Sequence, residues 1–414
     1  MRALDPARTV AELRELRELT GDAEGAWRVA WTDGWATARE WLEPKLQALG
    51  AELEEDAAGN RWATLPGESE RAVVVGSHLD SVPAGGWLDG ALGVVAALEV
   101  LRAAAAGGPP PATLRLVDWA DEEGARFGRS LMGSSAAAGT LVPDAVRDLR
   151  DAEGTALPDA LSAFGVELDR MHESAAGLRG AAAYLELHIE QGPVLEELGL
   201  ALGAVEGTFG VERHTVVLHG QAAHSGSTPM HLRRDAFAAA ARLALAARDG
   251  AREHGGVATV GRVALAPGIP TAVPGRCELM LDQRHLDAAR LAAMLAEARE
   301  AGERIAAEED VETEWAVTFR RAPQPFHPAL IDAAEAAAAE VVDGPVHRLP
   351  SGPLHDATEV AGSGVPTVML FVQSLRGLSH AKEEDTRPEH LELGVRALDA
   401  LVTRVTADVA AGRL

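Results

Sequence analysis

The chain has 414 residues and carries 38 Lys and Arg against 63 Asp and Glu, a formal net charge of −25. That balance excludes a cation-coated nucleic-acid binder, and the single cysteine, Cys277, excludes an intrachain disulfide framework and a cysteine-ligated metal site. Hydrophobic residues make up 47% and charged residues 24%, a composition able to bury a large core, and the length suits two domains.

The segment from Met1 to Leu19 is charged and has no apolar centre, so no secretory signal is expected. No run approaches about 20 uninterrupted apolar residues, so no membrane span is expected, and the expected location is the cytoplasm. Residues 5–50 show helical spacing. Ala72 to Gly76 is a short apolar run of buried-strand type. Gly90 to Ala106 reads as a helix after a glycine-rich loop, and Thr113 to Val117 as the next strand. Residues 136–180 read as helices and loops, and Tyr184 to Glu190 as another strand. This alternation predicts an α/β fold, an open sheet covered by helices.

The middle of the chain changes character. Val211 to His219 reads as a strand, Met230 to Arg248 as a helix, and Gly256 to Ala264 and Arg276 to Asp282 as strands. Leu286 to Ala307 reads as a helix and Val311 to Phe319 as a strand. The order β-α-β-β-α-β is a complete ferredoxin-like unit. It predicts a domain at 208–322 inserted into a first domain made of 1–207 and 323–414. Strand and helix signals resume beyond Pro325, with Thr367 to Val372 a strand.

Five short pieces carry candidate chemistry. Gly76-Ser77-His78-Leu79-Asp80-Ser81-Val82-Pro83 follows a strand end, where open α/β sheets place their sites. His78 and Asp80 share one face of an extended chain, so the carboxylate can orient the imidazole. Gly85-Gly86-Trp87-Leu88-Asp89-Gly90 leads into a helix, and Asp89 reads either as its N-cap or as a metal ligand. Asp121-Glu122-Glu123 follows another strand. Three acids there repel one another unless cations are present, or they form a solvated loop. In Leu185 to Glu190, alternation puts Glu186, His188 and Glu190 on one face. That strand is either a half-exposed edge or a coordinating surface. The fifth piece, Gly377-Leu378-Ser379-His380, gains meaning only by completing a set.

Together the pieces offer His78, Asp89, Glu123, His188 and His380, a mixed His and carboxylate set suited to zinc, manganese, cobalt or nickel. Two divalent ions would leave the site net positive, which favours hydroxide and an anionic intermediate. Glu122 is then the candidate general base.

These pieces, in this order, resemble the M20 metallopeptidase-like superfamily. The likeness is to its carbamoylase branch, which holds N-carbamoyl-L-amino-acid hydrolases, β-ureidopropionases of the same fold and allantoate amidohydrolases. It extends through Glu186 to Pro193, His224-Ser225-Gly226-Ser227-Thr228-Pro229-Met230, His355-Asp356-Ala357 and Ser379-His380. The resemblance implies an open mixed sheet of phosphorylase/hydrolase-like type with helices on both faces, and an inserted lid and dimerisation domain. It implies two divalent metal ions per chain on His78, Asp89, Glu123, His188 and His380, with Asp89 as the bridge. Glu122 takes the base role and Asp80 stands behind His78. His224 would reach the partner protomer's site and polarise the scissile carbonyl. Arg284 would grip the substrate carboxylate, and Gln191 would contact substrate. The expected substrate is a small molecule carrying a carboxylate and a ureido or amide group.

Two departures bear on substrate. Thr271 stands where the family usually has asparagine. Gly352-Pro353-Leu354 replaces the family's Gly-Ala-Gly, which removes a backbone donor and narrows the pocket at Leu354.

Overall fold

The structure, a computed structural model, describes residues 4–414. The chain divides into two compact units, Met1–Gly207 with Phe326–Leu414, and Thr208–Pro325.

The first unit is built on a mixed sheet. From one side its strands run Leu202–Thr208, Thr367–Val372, Ala181–Ile189, Ala72–His78, Thr113–Trp119, Arg61–Leu65 and Glu52–Glu55. The four from Thr367–Val372 to Thr113–Trp119 are mutually parallel, and the flanking strands are antiparallel. Ala72–His78 is buried at every position, as its Val73-Val74-Val75 run predicts for a strand covered on both faces. Helix Ala91–Ala105 packs on this strand and presents Val94, Val95, Leu98 and Leu101 to the core. Helices Pro328–Ala339 and Pro388–Ala410 pack on Thr367–Val372, and each starts with proline at its first position, where the missing N–H costs nothing. The result is the expected α/β architecture. Among the described residues, no helix is long and apolar enough to cross a membrane.

Several local expectations are revised. The helical stretch 5–50 is two helices, Pro6–Thr20 and Asp33–Gln47, separated by a small hairpin pairing Gly21–Asp22 with Gly25–Ala26. Ala181–Ile189 is a central strand buried on both faces, which removes the half-exposed edge reading.

The second unit is an antiparallel four-stranded sheet ordered Val257–Ala266, Arg276–His285, Gly210–His219, Glu312–Arg321. Helices Ala236–His254 and Ala288–Glu309 pack on one face, over Val216, Leu218, Cys277, Leu279 and Leu281. The first of these helices starts later than Met230. Met230–Leu232 is a 3-10 turn, and the Asp235 carboxylate accepts from the Phe237 and Ala238 amides and caps the helix there.

Candidate metal centre

The sequence pieces converge at the C-terminal ends of the parallel strands. His78 ends Ala72–His78, Glu122 and Glu123 follow Thr113–Trp119, His188 lies in Ala181–Ile189, and His380 follows Thr367–Val372.

Asp89 stands at the middle of the set. Its Oδ1 is 3.2 Å from His188 Nε2 and 3.7 Å from His78 Nε2. Its Oδ2 is 3.4 Å from His380 Nε2, which is itself 3.3 Å from Glu123 Oε2. Two donor groups able to hold a cation therefore share this one carboxylate: His78, Asp89 and His188, and Asp89, Glu123 and His380. Asp89 does not cap the following helix. The N-cap of Ala91–Ala105 is Gly90, and no side chain bonds it. Gly90 sits at φ 63°, and a Cβ there would lie 2.3 Å from His78 Cε1, so the motif's glycine makes room for the imidazole.

The ring orientations fit metal binding. His78 Nδ1 lies 3.0 Å from the Asp80 carbonyl, and His188 Nδ1 lies 2.9 Å from the Ile189 carbonyl. A carbonyl only accepts, so each Nδ1 carries the proton and each neutral ring presents an Nε2 lone pair toward Asp89. Glu123 Oε1 is buried without a hydrogen-bond partner, a donor atom left to a cation. The electrostatics agree. Burial pushes the Glu122 and Glu123 carboxyls well above the usual range, and their carboxylate neighbours push in the same direction. Burial would pull down the pKa of His78 and His188, but Glu122 and Asp80 around His78, and Asp89 beside His188, more than reverse it. Burial raises Asp89 as well, yet the bond and charge of His188 outweigh it and hold Asp89 below its ordinary value. Protons thus compete for the positions where cations would neutralise the same acids.

Asp80 fastens the acidic turn. Its Oδ1 accepts from the Glu122 amide and its Oδ2 from the Glu123 amide, both at 3.1 Å, and Oδ1 is 3.6 Å from His78 Nδ1. Glu122 Oε2 faces His78 Nε2 at 3.7 Å. Gln191 donates from Nε2 to Asp89 Oδ2 at 2.7 Å and to Ser379 Oγ at 3.1 Å.

Other members of the pieces have different work. Glu186 accepts from Ser77, from the Tyr184 hydroxyl and from the Ala357 amide, so its oxygens are engaged in the core. Glu190 accepts from the Val194 and Leu195 amides at the start of Val194–Leu198. Sequence reasoning missed Glu384. Its Oε1 accepts from the Leu88 and Asp89 amides, each at 3.0 Å, and its Oε2 from the Ser379 hydroxyl at 2.9 Å. Burial and the Asp89 charge push its pKa up to about 7. The signal lay in Gly86, where a Cβ would overlap Glu384. His355 packs edge-on against His188 with centroids 4.5 Å apart, and burial holds its pKa well below the usual range. Leu354, just before it, is half-buried.

His224, Thr271 and Arg284 belong to the second unit. His224 pairs with Ala272, and the Ser225 amide donates to the Thr271 carbonyl at 2.9 Å, so His224 and Thr271 lie together. His224 Nδ1 accepts from the Gly226 and Ser227 amides, both at 3.1 Å. A neutral His224 therefore carries its proton on Nε2, as an exposed donor. Arg284 donates from Nε to Asp282 Oδ1 at 2.7 Å, and Arg213 holds the same carboxylate at 2.7 Å.

Comparison with known proteins places the chain in a family. Residues 74–404 match the family described as Peptidase family M20/M25/M40. An N-carbamoyl-L-amino acid amidohydrolase of Geobacillus stearothermophilus is 38% identical over 378 residues, which cover 90% of this chain and 92% of that protein. An allantoate amidohydrolase of Escherichia coli (strain K12) is 34% identical over 382 residues, 91% and 92% of the two chains. Among solved structures, an amidase of the hydantoinase/carbamoylase family from Burkholderia multivorans superposes with a TM-score of 0.89 at 33% identity, covering 97% of this chain and 98% of that one. The chain belongs to the M20 peptidase family, in its carbamoylase branch, and is an amidohydrolase by membership.

Proposed function

We propose that the protein hydrolyses the carbamoyl C–N bond of N-carbamoyl-L-amino acids, yielding the amino acid, carbon dioxide and ammonia. The observation that carries this reading is Asp89, whose two oxygens face two separate His and carboxylate groups. His78, His188 and Asp89 would hold one divalent ion, and Asp89, Glu123 and His380 a second. When bound, such ions supply Lewis-acid polarisation of a carbonyl and lower the pKa of water.

The remaining steps belong to side chains. Glu122 takes a proton from the attacking water and delivers it to the departing nitrogen. Its raised pKa, set first by burial, suits a carboxyl that must both accept and give a proton. In a dimer, the N–H on Nε2 of the partner subunit's His224 would be the donor for the carbonyl oxygen as negative charge develops there. Arg284 binds the substrate carboxylate, and Asp282, which keeps its bond to Nε, holds the guanidinium in place for that contact. Water adds to the ureido carbon and one C–N bond breaks. The carbamic acid that remains then loses carbon dioxide and frees the second amine.

The second unit would serve as lid and dimerisation domain. Its edge strands expose Val257 at 50%, Val317 at 50% and Phe319 at 38%, apolar surface of the kind a partner copy covers. The likeness to the Escherichia coli protein supports a second reading, an allantoate amidohydrolase, whose substrate has two ureido groups.

Ammonia release decides between them. The purified protein is stripped with chelator, reloaded with manganese, zinc, cobalt or nickel, and given N-carbamoyl-L-amino acids, N-carbamoyl-β-alanine or allantoate. Metal-dependent turnover of an N-carbamoyl-L-amino acid supports the first reading, and preference for allantoate supports the second. Failure on every ureido substrate with two ions bound would overturn both.

A further inference from the structure

Trp31, Trp35 and Phe164 form one aromatic cluster in the first unit. The two indoles meet edge-on with centroids 4.7 Å apart, and Phe164 lies 5.9 Å from Trp31 and 5.6 Å from Trp35. Both tryptophans are fully buried. They differ in one respect. The Trp31 indole N–H donates to Asp121 Oδ2 at 2.8 Å, whereas the Trp35 indole N–H has no hydrogen-bond partner.

Asp121 immediately precedes Glu122. Its backbone lies in the left-handed region at φ 56°, and Trp31 is there too at φ 62°. A residue with a Cβ adopts that conformation only where its surroundings impose it. At Asp121 the constraints are visible. The Met132 amide donates to the Asp121 carbonyl at 3.0 Å and the Leu131 amide to the Glu122 carbonyl at 2.6 Å. Arg126 closes the arrangement by donating to the Trp31 carbonyl. Asp80 grips the Glu122 and Glu123 amides, so the turn is held on its main chain by Asp80 and on its side chain by Trp31.

We propose that Trp31 is a positioning residue for Glu122. It acts through Asp121, and the single indole bond fixes the direction in which the Glu122 carboxylate leaves its strained turn. The inference rests on the base role given to Glu122 above. Its physical basis is the steep dependence of proton transfer on placement, where a shift of about 1 Å costs about 100-fold in rate. Glu123 keeps its Asp80 contact and its neighbours His380 and Asp89, so metal binding is far less exposed to the same loss.

Trp31→Phe and Trp35→Phe delete the same atoms from two touching rings of one cluster, and only the first deletes a hydrogen bond. In the metal-loaded protein, Trp31→Phe should lower kcat by about 10- to 100-fold with KM changed by less than about twofold. Trp35→Phe should leave kcat within about twofold, although both variants lose packing and melt earlier. Asp121→Ala removes the other end of the bond without touching the aromatic cluster. It should lower kcat like Trp31→Phe, and the double variant should be no worse than the worse single one. Hydrogen exchange over residues 119–133 of the metal-free protein should quicken in Trp31→Phe and not in Trp35→Phe. Unchanged kcat in Trp31→Phe, or equal losses in the two tryptophan variants with equal exchange, would overturn the proposal. A wild-type protein inactive on every ureido substrate would instead count against the proposed function, and the exchange difference would still decide this one.

Discussion

The chemical groups of the two units differ in burial, apart from His380 of the first, which is exposed, and Arg284 of the second, which is half-buried. In the first, His78, Asp80, Asp89, Glu122 and His188 are all buried, and each has a charged neighbour within 4 Å or a backbone bond that fixes it. In the second, His224 and Thr271 are exposed, and the nearby Met230 and Leu232 show 76% and 65% of their surface. Buried charges are strongly coupled and costly to leave unpaired, so a change in the first unit moves stability together with chemistry. Exposed groups contribute to folding very little, so a change in the second should move chemistry alone.

The strongest test of that contrast is Glu122→Gln. It should reduce kcat by about 10²- to 10⁴-fold, the range of a lost acid–base group, while bound metal stays near the wild-type amount. It also replaces a buried carboxyl with an amide that carries no charge, so the metal-free variant should melt no earlier than wild type. An active Glu122→Gln variant would remove the base assignment. His224→Ala makes the complementary change. It should cost about 100-fold in kcat, as removal of an oxyanion donor does, with the melting temperature unmoved. A clear drop in stability in His224→Ala would mean that the second unit's histidine is as much a structural group as those of the first.

The acids of the first unit also predict a pH dependence. Burial, aided by neighbouring charge, holds Glu122 and Glu123 well above the usual range and pushes Asp121 and Glu384 to about 7. In the metal-free protein the folded state therefore keeps protons that the unfolded state releases above about pH 4. Stability must fall as pH rises through the window from about 4 to about 7. His78 and His188, held up by Glu122 and Asp89 against their burial, add a loss in the same direction above about 6.5. His355 and His390, lowered by burial, work against the acids below about 6.5, where the unfolded chain would protonate them. Bound cations remove the proton requirement, so the loaded protein should show a flatter profile. Melting temperatures measured from pH 5 to 8, with and without metal, check this. A metal-free protein that grows more stable toward pH 8 would reverse the sign and discard the argument.

How much of this was legible in the sequence follows the same division. The parallel strands announced themselves through apolar runs, because a strand covered on both faces needs Val73-Val74-Val75 or Val368-Met369-Leu370 to fill it. The five candidate ligands lie at the C-terminal ends of such strands or in the segments that follow them, and the fold gathers them. Glu52–Glu55 gave no strand signal, since three of its four residues are glutamate and all four are exposed at the sheet's edge. Glu384 was signalled only indirectly, by Gly86, where a Cβ would overlap it, and Trp31 gave no signal. Each acts through one hydrogen-bonded contact to a segment remote in sequence, Glu384 on the Leu88 and Asp89 amides and Trp31 on Asp121. No local periodicity encodes such a contact. The start of helix Ala236–His254 was misplaced because Met230-His231-Leu232-Arg233-Arg234 mixes apolar and basic residues that read on into the alanine-rich helix, and the capping role of Asp235 shows only in the folded chain.

The smallest expected effect concerns substrate choice, and it sets the two units against each other directly. Leu354 is half-buried in the first unit and directly precedes His355, whose ring packs on His188. Thr271 is exposed in the second, and its carbonyl, the atom bonded to the Ser225 amide, survives any side-chain replacement. Leu354→Gly removes four carbons beside His355, the ring neighbour of His188, which should raise kcat/KM for N-carbamoyl amino acids with large side chains by about tenfold relative to small ones. Thr271→Asn places there the residue that the resemblance implies and adds an amide donor without disturbing the main chain. It should change KM for all substrates in the same sense and leave the ranking of side chains as it was. Both are read from kcat/KM over one N-carbamoyl series. If Thr271→Asn reorders the series and Leu354→Gly does not, the side-chain pocket belongs to the second unit, and the departure at Pro353-Leu354 is a matter of loop packing alone.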